Sequence, residues 1–169
     1  MNPSIELRIR TMQRALTEVV LPAIDPANAL AQEQARLLLG HLHALAQQYR
    51  DAPRLEVVDA AHLARLARTL RASAAGGPHT RAARDALAAL IDADDGADLG
   101  MAVEALLVAS GVDGDADFRA ETTRLTLDHA REAARRGRAW FLPMGFDGDP
   151  AGLPDRADIL RLDNAQDTP

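Results

Sequence analysis

Two successive segments carry apolar residues at helical spacing, and this pattern constrains the fold more than any other feature. In both segments the apolar residues recur at steps of 4, 3, 4, 3 and 4. The first set is Ile5, Ile9, Met12, Leu16, Val19 and Ala23, and the second is Ala31, Ala35, Leu38, Leu42, Leu45 and Tyr49. Such spacing predicts two amphipathic helices, each with one face buried. Asp25 and Pro26 separate them, and so short a connection predicts an antiparallel hairpin over residues 4–23 and 27–49.

Proline and glycine divide the rest of the chain into four further predicted helices. A third helix opens at Asp51 and Pro53, and it ends before the triplet 76–78, which reads Gly-Gly-Pro. A fourth is capped by Thr80, and a fifth follows from Leu99 and closes at residues 110–111. The sixth starts at residue 115 or 117 and ends before residue 137, a glycine.

The composition agrees with an all-helical protein. The chain has 35 alanines and 24 leucines among 169 residues, and only 3% of its residues are aromatic. These are strong helix formers, whereas β-sheets favour β-branched and aromatic residues. We therefore predict an all-α fold, a single antiparallel bundle of about five to six helices over residues 1–138. Residues 139–169 are rich in Pro, Gly and Asp and are predicted to be irregular, packed on the bundle or partly disordered.

The composition also limits the classes of function. The chain has no cysteine, which excludes disulfides and thiolate chemistry. Its net charge is −6 and its aromatic residues are few, which disfavours nucleic-acid binding. No apolar run approaches the roughly 18 residues that cross a bilayer, and the N-terminus lacks the apolar core of a signal peptide. We expect no membrane association and a cytoplasmic location.

No established catalytic motif is present in the sequence. The adjacent glycines 76 and 77 precede a proline, and the chain has no lysine with which a phosphate-binding loop would reach its ligand. No Glu-x-x-His or His-Glu-x-x-His pattern of a metalloenzyme occurs, and no Gly-x-Ser-x-Gly elbow surrounds a serine. We therefore expect no cofactor, and the sequence favours a protein that is not an enzyme.

Two acid–histidine pairs lie on helix faces that are predicted to point inward. On a helical wheel Asp59 and His62 fall within about 40° of the apolar centre of the third helix. His129 and Glu132 lie equally close to the apolar centre of the sixth helix. If these helices are neighbours, His62 and His129 approach each other and the four side chains converge on one divalent metal ion. The alternative is that each carboxylate satisfies its own histidine by a hydrogen bond, without any metal.

Arginines suggest a second kind of site. All 19 basic residues are arginine, and two groups of them flank the same pair of helices. Arg65 and Arg68 lie on the third helix, and Arg131 and Arg135 lie near the end of the sixth. Guanidinium groups from two helices form a forked pocket for a phosphate or a carboxylate. The alternative is that these arginines only border the apolar stripe, with their aliphatic stems lying over it.

Three of the five aromatic residues lie within a short segment rich in proline and glycine. These residues are Trp140, Phe141 and Phe146. Aromatic side chains are enriched in protein interfaces, so we predict that the segment folds back and leaves one edge exposed as a partner contact. Opposed charge blocks also suit docking: residues 36–84 carry a net charge of +5, and residues 85–123 carry −9.

The opening hairpin resembles small uncharacterised helical proteins of bacteria. The resemblance rests on residues 14–25, RALTEVVLPAID, and on residues 28–39, NALAQEQARLLL, within about the first 50 residues. Proteins of this kind are often encoded beside aminoglycoside-phosphotransferase-like kinases and acyl-CoA dehydrogenases. The resemblance implies an accessory subunit for a kinase that acts on hydroxyacyl-CoA substrates, and it implies no catalytic residue.

Two classes of function therefore stay open at the level of sequence. The favoured one is a non-catalytic accessory or interaction partner of a metabolic enzyme, which binds a protein partner or forms a homo-oligomer. The alternative is a helical bundle that binds a metal or a small anion and has enzymatic activity.

Overall fold

The computed structural model describes residues 2–93 and 96–162, and every regular element in these two ranges is a helix. The α-helices are α1 (Ile5–Ala15), α2 (Leu21–Ala23), α3 (Ala29–Gln48), α4 (Ala52–Ser73), α5 (Pro78–Asp92), α6 (Leu99–Asp113), α7 (Ala116–Phe141) and α8 (Arg156–Ile159). A π-helical turn, Leu16–Val20, joins α1 to α2, and short 3₁₀ turns cover Leu142–Met144 and Pro150–Gly152. The predicted all-α fold is confirmed. None of the helices described has both the length and the apolar character needed to span a membrane.

The chain forms two compact units. The first contains the described residues up to Pro53 together with Arg136–Ile159. The second contains Arg54–Arg135 together with the described residues from Leu160 onward. The predicted division at residue 138 stays a prediction, and residues 163–169 of the predicted C-terminal segment lie outside the described residues.

In the first unit, α1 and α3 form the predicted antiparallel hairpin. Arg50, just after α3, makes an ion pair of 2.7 Å with Glu6 at the start of α1. At the opposite end, the Gln32 side chain near the start of α3 donates to the Ile24 carbonyl at 3.0 Å. The end of one helix therefore lies beside the start of the other.

The predicted first apolar stripe is buried only in part: Ile5 and Met12 are exposed, and after α1 a π-helical turn shifts the register. Ile9 and Leu16 are buried, whereas Val19 is 65% exposed. The Leu21 N–H donates to the Leu16 carbonyl, five residues earlier, so the turn holds one residue more than an α-turn. The inward position consequently passes to Leu21 and Ile24, which are half-buried. The predicted stripe of α3 is likewise incomplete, because its positions 38 and 45 are exposed leucines.

Two helix boundaries, the start of α3 and the end of α7, differ from the sequence prediction. Helix α3 begins at Ala29 rather than near residue 26, because the side chain of Asn28 caps it by accepting from the Ala31 N–H. Asp25 instead accepts from the Ala27 N–H within the preceding turn. Helix α7 continues through residue 137 to Phe141, so this glycine does not end it.

The second unit is built around a contiguous apolar core drawn from α4, α5, α6 and α7. Eight buried side chains form this core: Leu66, Ala67, Leu70, Leu87, Leu99, Val103, Leu106 and Phe118. Four of them, at positions 67, 70, 87 and 106, have no exposed surface. Burial of large aliphatic side chains contributes about 1.5–3 kcal/mol each, which makes this core the main stabilising feature of the second unit.

A carboxylate from the end of α6 caps the start of α5. Asp113 accepts from the N–H groups of His79 and Thr80 at 2.8 and 2.9 Å and from the Thr80 hydroxyl at 2.7 Å. Burial raises the pKa of this carboxyl, but the hydrogen bonds from Thr80 and His79 outweigh burial and hold the pKa well below its usual range. Thr80 therefore does not cap α5 as predicted, because the helix begins two residues earlier, at Pro78.

Two glycines make this close approach possible. A Cβ on Gly77 would lie 2.4 Å from the Asp113 carboxylate, and Gly76 has a φ of +156°. Gly76 also pairs with Gly114 in an isolated antiparallel bridge. We call this arrangement of Gly76, Gly77, Asp113 and Gly114 the clasp.

Candidate functional site

The two predicted acid–histidine helices are neighbours in the second unit, and a cleft of about 210 Å³ lies between them. Its lining comes from α4 (His62, Arg65, Leu66 and Thr69) and from α7 (Leu125, Asp128, His129 and Glu132). The Asp115 N–H donates to the Ala75 carbonyl at 3.0 Å, which places the end of α4 beside the start of α7. His62 precedes Ala75 by thirteen residues and His129 follows Asp115 by fourteen. The two histidines therefore lie at similar heights along antiparallel helices.

One histidine of the cleft is contacted by an arginine of its own helix. The Arg65 guanidinium lies 3.0 Å from the His62 Nδ1. Because arginine stays protonated and only donates, Nδ1 must accept this hydrogen bond.

The carboxylates of the cleft pair with arginines of their own helix. Asp128 lies 3.4 Å from Arg124 and 3.2 Å from Arg131. Glu132 lies 3.6 Å from Arg135.

Over residues 2–93 and 96–162, no three histidine, aspartate or glutamate side chains are arranged to hold a metal ion. Asp59, the fourth member of the predicted metal set, is exposed and does not line the cleft. Metal binding by Asp59, His62, His129 and Glu132 therefore gains no support from this geometry and stays a prediction.

The predicted anion-binding arginines are not gathered in one place. Arg65 lines the cleft between α4 and α7, whereas Arg68 lines a different cleft, formed with residues of α5 and α6. Arg131 and Arg135 are more than half exposed and pair with Asp128 and Glu132. Among the described residues these four arginines therefore share no pocket: Arg65 and Arg68 are only about 60° apart around α4, but they border two different clefts.

The aromatic segment of the first unit is anchored by its tryptophan. Trp140 is buried, and its carbonyl accepts from the Gln48 side chain at 2.5 Å. The Arg156 guanidinium lies over the indole ring, 5.3 Å from its centroid. Phe141 and Phe146 are instead 57% and 70% exposed.

A double hydrogen bond closes the loop that carries Phe146. The Arg138 guanidinium donates to both oxygens of the Asp147 carboxylate at 2.8 Å, and it also donates to the Asp149 carbonyl. The hydrogen bond from Arg138, helped by the Asp149 N–H, lowers the pKa of Asp147 to about 2. Gly145 lies in the left-handed region with a φ of +74°, which allows the sharp turn before Phe146.

One exposed apolar surface was not predicted from the sequence. Helix α6 presents Met101, Val108 and Val112 to solvent at 63–65% exposure, while its opposite face supplies the core. Ala105 completes this row at steps of 4, 3 and 4 residues. The available signal was the scarcity of charge: within Leu99–Asp113 only Glu104 and Asp113 are charged, so the helix has no polar face.

No protein-family model, curated protein or solved structure matches this chain. The resemblance of the opening hairpin to small bacterial helical proteins therefore stays a prediction.

Proposed function

We propose that this chain is a non-catalytic interaction protein that contacts its partner through Phe141 and Phe146. The observation that carries the proposal is the exposure of two phenylalanines, 57% and 70%, on either side of an anchored turn. Trp140 is buried beside Phe141 in the sequence, and the Arg138–Asp147 double hydrogen bond closes the loop around Phe146. Exposed rings in a chain with only five aromatic residues are typical of a contact surface.

The anchored backbone makes these rings suitable for binding. Burying exposed aromatic surface at about 25 cal/mol per Å² favours association, and aromatic residues often contribute most of the binding free energy. A segment that is already held in place loses less conformational entropy when a partner binds.

The apolar row on α6 supports the same class of function. Three large aliphatic side chains, each more than 60% exposed, make a face that a helix from a partner protein would cover. The finer proposal, that the partner is a metabolic enzyme such as a kinase acting on acyl-CoA substrates, rests on the resemblance of residues 14–39.

The test compares the double variant Phe141→Ala/Phe146→Ala with Leu30→Ala. Leu30 also lies in the first unit and is 72% exposed, so the control removes a similarly exposed apolar side chain. Tagged full-length proteins are incubated with the purified products of adjacent genes, and affinities are measured by biolayer interferometry. We expect the double variant to weaken binding at least tenfold with an unchanged melting temperature, while Leu30→Ala binds normally.

Two results would overturn this proposal. One is unchanged affinity of the double variant for a partner that the unmodified chain binds. The other is that no binding partner is found and light scattering shows a monomer at all concentrations. The exposed rings would then contact neither a partner nor a second copy of the chain.

A second candidate function is a small-ligand site in the cleft between α4 and α7. The favouring observation is that His62, Arg65, His129 and Glu132, all singled out from the sequence, line this one cleft. Elemental analysis of the purified chain tests for a metal, and titration with inorganic phosphate tests for an anion. Histidine ring signals in NMR spectra report either ligand, and Thr69→Phe, which fills the cleft, should abolish the change.

A further inference from the structure

Among the described residues that line it, a second cleft of the second unit has apolar side chains and one arginine. It has a volume of about 260 Å³ and lies among α4, α5 and α6. Its apolar walls include Leu63, Ala64, Leu90, Ile91 and Leu99, and Arg68 also lines it. Leu63, Ala64, Leu90 and Ile91 are partly buried against the core, so the cleft rests on the most firmly packed part of the unit.

Arg68 differs from the other arginines of its helix. Arg54 donates to the Leu160 carbonyl at 2.8 Å, and Arg71 pairs with Asp92 at 2.7 Å. Arg65 donates to His62. Within the described part of the chain Arg68 makes no hydrogen bond or ion pair, and its side chain is exposed. A guanidinium at the edge of an apolar cleft is therefore left to bind an anion from outside these residues.

We propose that this cleft binds a medium-chain carboxylic acid, with the alkyl chain against the apolar walls and the carboxylate on Arg68. The two parts of such a ligand match the two parts of the site. A planar guanidinium binds a carboxylate through two parallel hydrogen bonds, and the leucine and isoleucine side chains offer no polar group to the chain. The cleft volume equals the liquid volume of roughly nine water molecules, which suits a chain of about six to ten carbons.

The proposal does not depend on the proposed partner contact, because Phe141 and Phe146 belong to the first unit. It also goes beyond the anion pocket predicted from sequence. That pocket joined Arg68 to Arg65, Arg131 and Arg135, whereas here Arg68 acts alone beside an apolar wall.

The experiment titrates the full chain with straight-chain carboxylates from butanoate to decanoate by isothermal calorimetry. Each added methylene should tighten binding about fourfold until the cleft is filled, after which the affinity stops rising. Octanol, which lacks the charge, should bind at least tenfold more weakly than octanoate.

Variants separate the two parts of the site. Arg68→Gln should weaken octanoate binding by about tenfold or more and leave octanol unaffected. Arg119→Gln is the matched control, since the Arg119 side chain also makes no hydrogen bond or ion pair within the described residues and does not line the cleft. Ala64→Phe, which fills the cleft, should abolish binding of both ligands, with melting temperatures confirming that each variant is folded.

Three outcomes overturn the proposal: no binding of octanoate at millimolar concentration, equal losses in Arg68→Gln and Arg119→Gln, or no dependence of affinity on chain length. If Phe141→Ala/Phe146→Ala loses its partner but binds octanoate normally, the two surfaces act independently.

Discussion

The two units of this chain are stabilised by different kinds of interaction. The second unit has a contiguous core of eight buried apolar side chains from four helices. In the first unit, α1 and the π-helical turn after it expose Ile5, Met12 and Val19 and bury only Ile9 and Leu16. Its helices are also joined by polar contacts, such as those of Glu6 with Arg50 and of Gln48 with the Trp140 carbonyl.

This difference suggests that the second unit provides most of the stability and that the first unit provides the binding surface. Apolar burial is worth more per residue than exposed ion pairs, so the second unit should carry most of the stability. Regions with few buried apolar contacts open at lower cost and are often the regions that bind. The exposed phenylalanines lie in the first unit, where the sequence leaves more apolar surface without a cover.

The largest expected effect comes from opening the core of the second unit. Leu106→Ala removes a side chain with no exposed surface and should cost about 3–5 kcal/mol of unfolding free energy. Leu16→Ala, at a buried position of the first unit, should cost about 2 kcal/mol, because the more open surroundings relax more easily. Urea denaturation measures both values. Equal costs would contradict the contrast between the units.

The second-largest loss of unfolding free energy is expected at the clasp. Gly77→Ala places a methyl group against the Asp113 carboxylate and should cost about 1–3 kcal/mol by forcing the two turns apart. Gly111→Ala is the matched control within α6, because its Cβ meets no atom within 4 Å. That control should stabilise the helix by about 0.5–1 kcal/mol. Denaturation curves in which Gly77→Ala is neutral would show that the clasp is not needed.

Periodicity predicted the helices well because most of them bury a recognisable stripe. It failed at residues 16–24, because nothing in the spacing shows that a π-helical turn adds one residue and moves the inward position from Val19 to Leu21. The sequence pattern also predicted that the last long helix ends before Gly137. A glycine inside a helix lowers its stability by only about 1 kcal/mol relative to alanine. Burial of Ala139 and Trp140 beyond that glycine outweighs this cost.

The candidate sites were predictable where they depend on one helix face. The wheel positions of His62 and His129 indicated inward faces, and both line one cleft. The Arg68 cleft forms because α4 packs beside α5 and α6. The spacing of residues along one helix does not show which helices will pack beside it. The clasp was missed because it joins residues that lie far apart in the sequence, such as Gly77 and Asp113.

A buried hydroxyl in α7 is expected to lower the stability of the folded chain. The Thr122 hydroxyl is buried and finds no hydrogen-bond partner in the described part of the chain. Thr122→Val keeps the shape and removes the unsatisfied group, so it should raise the unfolding free energy by roughly 1 kcal/mol. Thr123→Val is the control, because that exposed hydroxyl already donates to the Arg119 carbonyl at 2.9 Å. A loss of stability in Thr122→Val would reveal a hidden partner.

The smallest expected effect concerns the loop of the first unit at low pH. The pKa of Asp147 falls from an ordinary value of 3.8 to about 2 in the folded chain, chiefly through the hydrogen bond from Arg138. A carboxyl whose pKa is lowered by folding stabilises the fold above pH 3.8, and this contribution is lost as the pH falls toward 2. The unmodified chain should therefore lose more stability across this interval than Asp147→Asn. Melting temperatures at pH 5, 3 and 2 measure the difference, and high salt should reduce it because the pair is partly exposed. Parallel curves for the two proteins would mean that the loop is not held by this pair, and the anchored presentation of Phe146 would lose its basis.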